Sequence, residues 1–166
     1  MTIGQYDLKR AAARNYALNQ RTRGYLQKTG FLCHSHKDRE MALGLQQWLK
    51  EHGLDLYIDW QDDLMPETPD GTTAARIRTM IRNADVFLLL ATSDSMISRW
   101  CPWELGFADG VKRTEQIAVI STRDNAGNYY GSEYLQLYRR IDQAAGGGAL
   151  YWYQKNSSIP QNLGMF

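Results

Sequence analysis

The stretch Asp85-Val86-Phe87-Leu88-Leu89-Leu90-Ala91 limits the folds open to this chain more than any other. A strand that is apolar on both faces must be covered on both, which is the place of a central strand in a parallel sheet. The surrounding sequence alternates accordingly. Gly30 to Ser35 reads as a buried strand that turns polar as it leaves the core, and Ser35 with Asp38 has the spacing of a capping box. Met41, Leu45, Trp48, Leu49 and His52 then recur at helical intervals up to Gly53. Leu54 to Asp59 is a second strand, Trp60 to Gly71 a loop, and Thr72 to Asn83 a helix with Ala74, Ile77, Ile81 and Ala84 inward. After the central strand, Thr92 to Ser95 break the chain and a helix extends from Ser98 to about Lys112.

The remainder reads as a strand over Ile117 to Ile120, a polar loop over Thr122 to Gly131, and a helix over Ser132 to Ile141 with Tyr134, Leu137, Tyr138 and Ile141 inward. Gly146 to Gly148 is a break, Ala149 to Tyr153 a fifth, edge strand, and the residues beyond Lys155 a tail. Strand and helix alternate five times, which implies an α/β fold: a doubly wound, five-stranded parallel sheet with right-handed crossovers. Residues 5 to 28 precede it as a basic helix, with Leu8, Ala11, Ala12, Tyr16 and Leu18 as a loose apolar stripe and the basic face in solvent. The expected organisation is an N-terminal helical extension over 1–29, one domain over 30–155 and a tail over 156–166.

Charge and cysteine content narrow the classes of function. A formal net charge of +1 gives no electrostatic reason for a nucleic-acid or membrane partner. Two cysteines, Cys33 and Cys101, are too few for a disulfide scaffold and fit a reducing cytoplasm. No apolar run approaches the ~18 residues of a membrane span, so the expectation is a soluble, cytoplasmic protein.

In sheets of this kind ligands bind beyond the carboxyl ends of the strands, near the point where strand order reverses. His34, Ser35 and His36 end the first strand, Asp59 and Trp60 the second, and Ser93 to Ser95 the third. The segment Ser98-Arg99-Trp100-Cys101-Pro102-Trp103-Glu104-Leu105 leads the next helix, with Ser98 as N-cap and Pro102 where the N–H groups lack intrahelical partners anyway. Trp100 and Glu104, four apart, share a face, while Cys101 and Trp103 read as packing. There is no Walker sequence, no Gly-x-Gly-x-x-Gly and no Gly-x-Ser-x-Gly elbow, and His34 with His36 lacks further ligands at metal spacing, so no metal or bound cofactor is expected.

Taken alone, Glu104 is a glutamate stabilised at the positive end of a helix. Its aromatic neighbours at the ligand rim suit a particular reaction. Ordinary O-glycosidases need a second carboxyl to protonate the leaving group. A nicotinamide leaving group departs from a pyridinium that is already cationic, so one carboxylate suffices to stabilise the ribosyl cation or orient its hydroxyls.

Three blocks in order resemble the TIR domain family: Phe31-Leu-Cys-His-Ser-His-Lys-Asp38 its first strand and polar exit, Leu56-Tyr-Ile-Asp59 with the following loop its second strand and BB loop, and Ser98 to Leu105 its Trp-Cys-x-x-Glu-Leu signature. The resemblance covers about residues 30 to 155, and Met65-Pro66-Glu67-Thr68-Pro69 makes the loop unusual. It implies a flavodoxin-like TIR fold. It further implies an NAD glycohydrolase or ADP-ribosyl cyclase with Glu104 catalytic, Trp100 stacking on a substrate ring, and His34, Ser35, His36, Asp59 and Trp60 lining the pocket, NAD being substrate rather than cofactor. Self-association through TIR surfaces and the 60–71 loop is also implied. The chain is similar to the signal-generating component of Thoeris antiphage defence, whose nucleotide product, a cyclic ADP-ribose isomer, reaches a separate effector protein. The competing readings are a non-catalytic TIR interaction module and a nucleoside deoxyribosyltransferase-like enzyme.

Overall fold

A computed structural model of the 166-residue chain describes residues 2–15, 28–66, 68–143 and 149–163. Strand β1 (Ile3–Gly4) runs into helix α1 (Gln5–Asn15). Then come β2 (Lys28–Cys33), α2 (Arg39–Glu51), β3 (Leu54–Tyr57), α3 (Gly71–Asn83), β4 (Val86–Ala91) and the single turn α4 (Ser93–Met96). Helix α5 (Cys101–Val111) leads to β5 (Ile117–Arg123), β6 (Tyr129–Tyr130), β7 (Arg139–Gln143), β8 (Leu150–Tyr153) and β9 (Gln161–Asn162).

The sheet has the order β3-β2-β4-β5-β7-β8-β9. From β3 to β7 every pairing is parallel, and β8 and β9 join antiparallel. All six residues of β4 are buried, as two covered faces require. Its side chains alternate: Val86, Leu88 and Leu90 enter one apolar cluster with Leu45 and Leu49 of α2, while Phe87, Leu89 and Ala91 enter another with Ile77 and Ile81 of α3 and Leu105 and Ala108 of α5. Phe31 stacks between Tyr57 and Phe87 on this second face.

The flavodoxin-like parallel sheet therefore stands, with its fifth parallel strand in a different place. The expected helix over Ser132 to Ile141 is a short 3-10 segment, Glu133–Leu137, followed by β7, which pairs parallel with Ala118 to Ile120. Tyr138 and Ile141 are buried as the helical spacing requires, but Tyr134 and Leu137 of the same stripe are exposed. A sheet that ended at β5 would leave an apolar strand unpaired along one edge, and pairing that edge outweighs helical spacing in so short a segment. The expected edge strand over 149–153 is instead antiparallel and internal, because β9 covers its outer side. The tail reaches the core through Leu163 and through the Trp152 indole, which donates to the Asn162 carbonyl at 3.0 Å. The polar loop after β5 contains a small hairpin, in which Thr122 and Arg123 pair with Tyr130 and Tyr129.

Of the expected N-terminal helix, Gln5–Asn15 is helical and Lys28 already belongs to β2; residues 16–27, with Tyr16 and Leu18 of its apolar stripe, lie outside the described residues. Leu8 is fully buried and Ala11 nearly so, and β1 pairs parallel with the end of β5. Helix α1 lies directly on α2 at Gly44, where a Cβ would fall inside the Leu8 carbonyl and 3.2 Å from the Ala12 nitrogen. Among the described residues no helix is long and apolar enough to cross a membrane. Because the clash at Gly44 is with backbone, Gly44→Ala must push the two helices apart. Overpacking of this kind costs about 1–3 kcal/mol, to be read as a lower urea midpoint at unchanged slope.

Candidate active site

Between β2 and β4 the strand order reverses, so the following connections leave in opposite directions and a crevice opens beyond the two carboxyl ends. Its base is braced from both sides. The Thr92 hydroxyl, just after β4, donates to the Asp38 carboxylate at 2.5 Å. Thr92 also forms a capping box with Ser95 over α4. Asp38 also accepts from the Ser35 backbone, so it makes its own half of the expected capping box. The other half differs, because the Ser35 hydroxyl accepts from the Lys37 N–H at 3.4 Å, at the start of a 3-10 turn, His36–Asp38, and not from the Asp38 N–H.

Helix α5 starts three residues later than expected, at Cys101, with Pro102 in its first turn and Trp100 in the N-cap position. Ser98 still serves the helix end, since its hydroxyl accepts from the N–H groups of Trp100 at 3.1 Å and Cys101 at 3.3 Å. The Trp100 carbonyl accepts from the Glu104 N–H at 2.9 Å, so one helical turn separates the two residues, and both line the same cavity. Cys101 is packed, but Trp103 is 39% exposed, edge-on to Trp100 and stacked near Phe107, on which Arg78 and Arg82 lie.

Glu104 is only 5% exposed. Burial, reinforced by the nearby Cys101 sulfur, pushes its carboxyl up to about 8, against which the Cys33 thiol offers a hydrogen bond that favours the charged form. The Cys33 thiol is itself raised by burial and lies 3.8 Å from the Cys101 carbonyl. Moving a carboxyl from 4.5 to about 8 corresponds to roughly 5 kcal/mol against charging it in place.

The opposite wall is a polar chain with fixed roles. His34 is buried, with Nδ1 3.2 Å from the Leu32 carbonyl and Nε2 accepting from the Trp60 indole N–H at 2.9 Å. That pattern fixes a neutral tautomer with the proton on Nδ1, in keeping with burial holding its pKa below the usual histidine range. Asp59 accepts from the Trp60 N–H at 2.8 Å through Oδ1 and meets His36 Nε2 at 3.4 Å through Oδ2. The contact lifts the His36 pKa, and His36 with the Trp60 N–H holds Asp59 low against its burial.

These walls enclose a cavity of about 280 Å³ lined by His34, His36, Asp59, Trp60, Trp100 and Glu104. Ser35, with its hydroxyl on Lys37, is not in the lining. Arg39, Asp62, Met65, Pro66, Pro69, Thr73, Ile77 and Ser98 also contribute, and sequence reasoning missed them. Arg39 had a usable signal: it stands one helical turn after His36 and lies over the Trp60 ring at 5.1 Å. Beyond Trp100 and Pro69 the cavity adjoins a more open groove of about 650 Å³ with Arg99 and Trp103 on its walls. A larger groove of about 770 Å³ follows the free edge of β3. Its Asp62 is taken up by Arg76 Nε at 2.8 Å and the Tyr57 hydroxyl at 2.6 Å, and its Asp55 and Asp63 are exposed, so it holds no buried carboxyl like Glu104. Among the described residues no group of three or more His, Cys, Asp or Glu side chains is arranged to hold a metal ion.

Comparison with known proteins agrees with this geometry. The family described as TIR domain matches residues 31–146. A protein of Bacillus cereus (strain MSX-D12), named "Probable 3' cyclic ADP-D-ribose synthase ThsB'", is 33% identical over 110 residues, 65% of this chain. The chain spans 57% of the length of that relative. The match of the family over most of the chain, on a flavodoxin-like sheet with the Trp100 and Glu104 pair at its switch point, establishes that the chain belongs to the TIR domain family.

Proposed function

We propose that this TIR domain cleaves NAD between nicotinamide and ribose and converts the ADP-ribosyl part to a cyclic ADP-ribose isomer, with ADP-ribose as the hydrolytic product. The observation that carries the reading is Glu104, a buried carboxyl that lines the cavity together with Trp100, while the cavity's other carboxylates, Asp59 and Asp62, are engaged by His36 and Trp60 and by Arg76 and Tyr57. In the reaction the C1–N bond breaks, its electron pair leaves with neutral nicotinamide, and a ribosyl cation remains. A carboxylate in a water-poor site stabilises that cation more strongly than the same group in water. Trp100 offers an indole face to a flat ring. The B. cereus relative's name supports the cyclic product. Release of that product as a signal to a separate effector in antiphage defence, with a cytoplasmic location, completes the proposal. Self-association through the 60–71 loop belongs to it as well.

Free protein holds Glu104 largely protonated below about pH 8. A bound pyridinium favours the carboxylate, so substrate itself charges the site. kcat/KM reports the free enzyme, and should therefore rise about tenfold per pH step below 8 and level above it. Initial-rate measurement of nicotinamide release across pH 6 to 9 checks this, and a flat profile would contradict it.

Glu104→Gln should lower nicotinamide release by at least about a hundredfold. The same change should stabilise the fold. The unfolded carboxyl ionises near 4.5 and the folded one near 8, so stability falls as pH rises through that interval, and the wild type carries the full penalty above it. The variant's advantage should thus be absent at pH 4.5 and largest at pH 8 and above, at most about 5 kcal/mol, as read from urea unfolding at both pH values. Trp100→Ala should raise KM about 5- to 150-fold, the equivalent of the ~1–3 kcal/mol of one aromatic–base stack, with Trp100→Phe retaining much of the affinity. An interaction module would lose no NAD at any protein concentration, and a deoxyribosyltransferase-like enzyme would exchange bases on deoxynucleosides while ignoring NAD.

A further inference from the structure

Nicotinamide departure needs no acid, but capture of the resulting cation by a hydroxyl does need a base. The new C–O bond forms with a proton still on the oxygen, and that proton must go somewhere. Glu104 lines the cavity beside the cation and is already committed to its charge. His34 cannot serve, since one ring nitrogen faces the Leu32 carbonyl and the other accepts from Trp60. His36 remains. Its side chain is 60% exposed at the cavity mouth, and its Nε2 faces Asp59 Oδ2 at 3.4 Å. Asp59 is in turn anchored by the Trp60 N–H. With Nε2–H directed at the carboxylate, Nδ1 carries the free lone pair, an arrangement equivalent to the carboxylate–imidazole pairs that activate hydroxyls elsewhere.

The size of the cavity indicates which hydroxyl arrives there. About 280 Å³ falls below the ~300–1,000 Å³ that enclose a whole drug-sized ligand. The cavity can hold the nicotinamide and its ribose, and the rest of a dinucleotide leaves it either past His36 or into the groove beyond Trp100 and Pro69; the first path brings the second ribose to the imidazole. We propose that His36, oriented by Asp59, is the base that takes the proton from a hydroxyl of the substrate's second ribose as that oxygen captures the ribosyl cation. This rests on the NAD-cleaving reading of the same site. In the step, the C1–N bond has broken with its electron pair on nicotinamide, the hydroxyl oxygen bonds to C1, and its proton passes to His36 Nδ1 and on to solvent. Cyclic product, nicotinamide and one proton result, with no oxidant or further reactant.

The groups facing His36 are Asp59 from the loop after β3, Arg39 at the start of α2, the parallel ring of His34 at 6.3 Å and Cys101 of α5. Asp59 dominates and holds the imidazole protonated to higher pH than usual. The base form therefore grows as pH rises through that raised value, and the cyclic share of product should grow with it.

The test incubates the full chain with NAD and measures nicotinamide, ADP-ribose and cyclic product by chromatography and mass spectrometry from pH 6 to 9. His36→Gln keeps a group able to donate to Asp59 but has no base, and His36→Ala removes both. In each, the ratio of cyclic product to ADP-ribose should fall at least about tenfold, and its rise with pH should flatten. Asp59→Asn, with His36 intact but no longer oriented, should lower the ratio in the same direction. His36 is exposed, so its variants should keep the fold, and a thermal melt of each variant checks this. A ratio unchanged in both His36 variants overturns the proposal, as does a fall of both products in equal proportion or a wild type that yields ADP-ribose alone. A wild type that releases no nicotinamide defeats the underlying reading of the site instead.

Discussion

The cost of burying one carboxyl organises this molecule. Glu104 lies in the first turn of α5, where the helix end favours a negative charge by about 0.3–1 kcal/mol, or ~2 in the best partly buried cases. Burial opposes that charge by roughly 5 kcal/mol, so the helix loses and the proton stays on. Such a group persists only where the surroundings leave it no way out. The carboxyl ends of β2 and β4, the Trp100 indole and the Cys33 thiol supply that enclosure. A cationic ligand supplies the missing charge, which is why the strain is useful.

The crevice above Glu104 is held by a few polar ties that span it. Thr92 to Asp38 joins the exits of β4 and β2, and Trp60 to His34 joins the loop after β3 to β2. Both ties use groups buried or half-buried, so each is expensive to leave unmade. They leave Asp59 and His36 as polar side chains with capacity to spare on that wall. The two walls of the cavity thus differ in kind: one apolar with a single acid, the other a hydrogen-bonded chain ending at solvent.

Much of this was legible in the residues themselves. The both-faces-apolar strand required a central parallel position, and the spacing of Trp100 and Glu104 placed ring and acid together; both are local facts of period and geometry. The segment over Ser132 to Ile141 was misread because its apolar spacing suits a helix, whereas its conformation is decided by the open edge of β5, a partner about twenty residues away. The helix start at Cys101 rather than Ser98 turns on one hydroxyl that caps without occupying the cap position. Thr73 and Ile77 share a buried face of α3 four residues apart, so helical spacing places them together, whereas Met65, Pro66 and Pro69 come from the loop before it, whose path no periodicity encodes. Ser35 had the right position in the chain and the wrong direction, its hydroxyl drawn to a neighbouring N–H.

Helix α1 meets α2 with no side chain between them at Gly44, and its Leu8 is sealed in the same apolar cluster as β2 and β4. Any side chain at residue 44 would occupy the place of the Leu8 carbonyl, so the seat of α1 and the glycine beneath it are one steric unit. The N-terminal helix is therefore fastened to the sheet by backbone contact as well as by its apolar stripe, at a place remote from the active site.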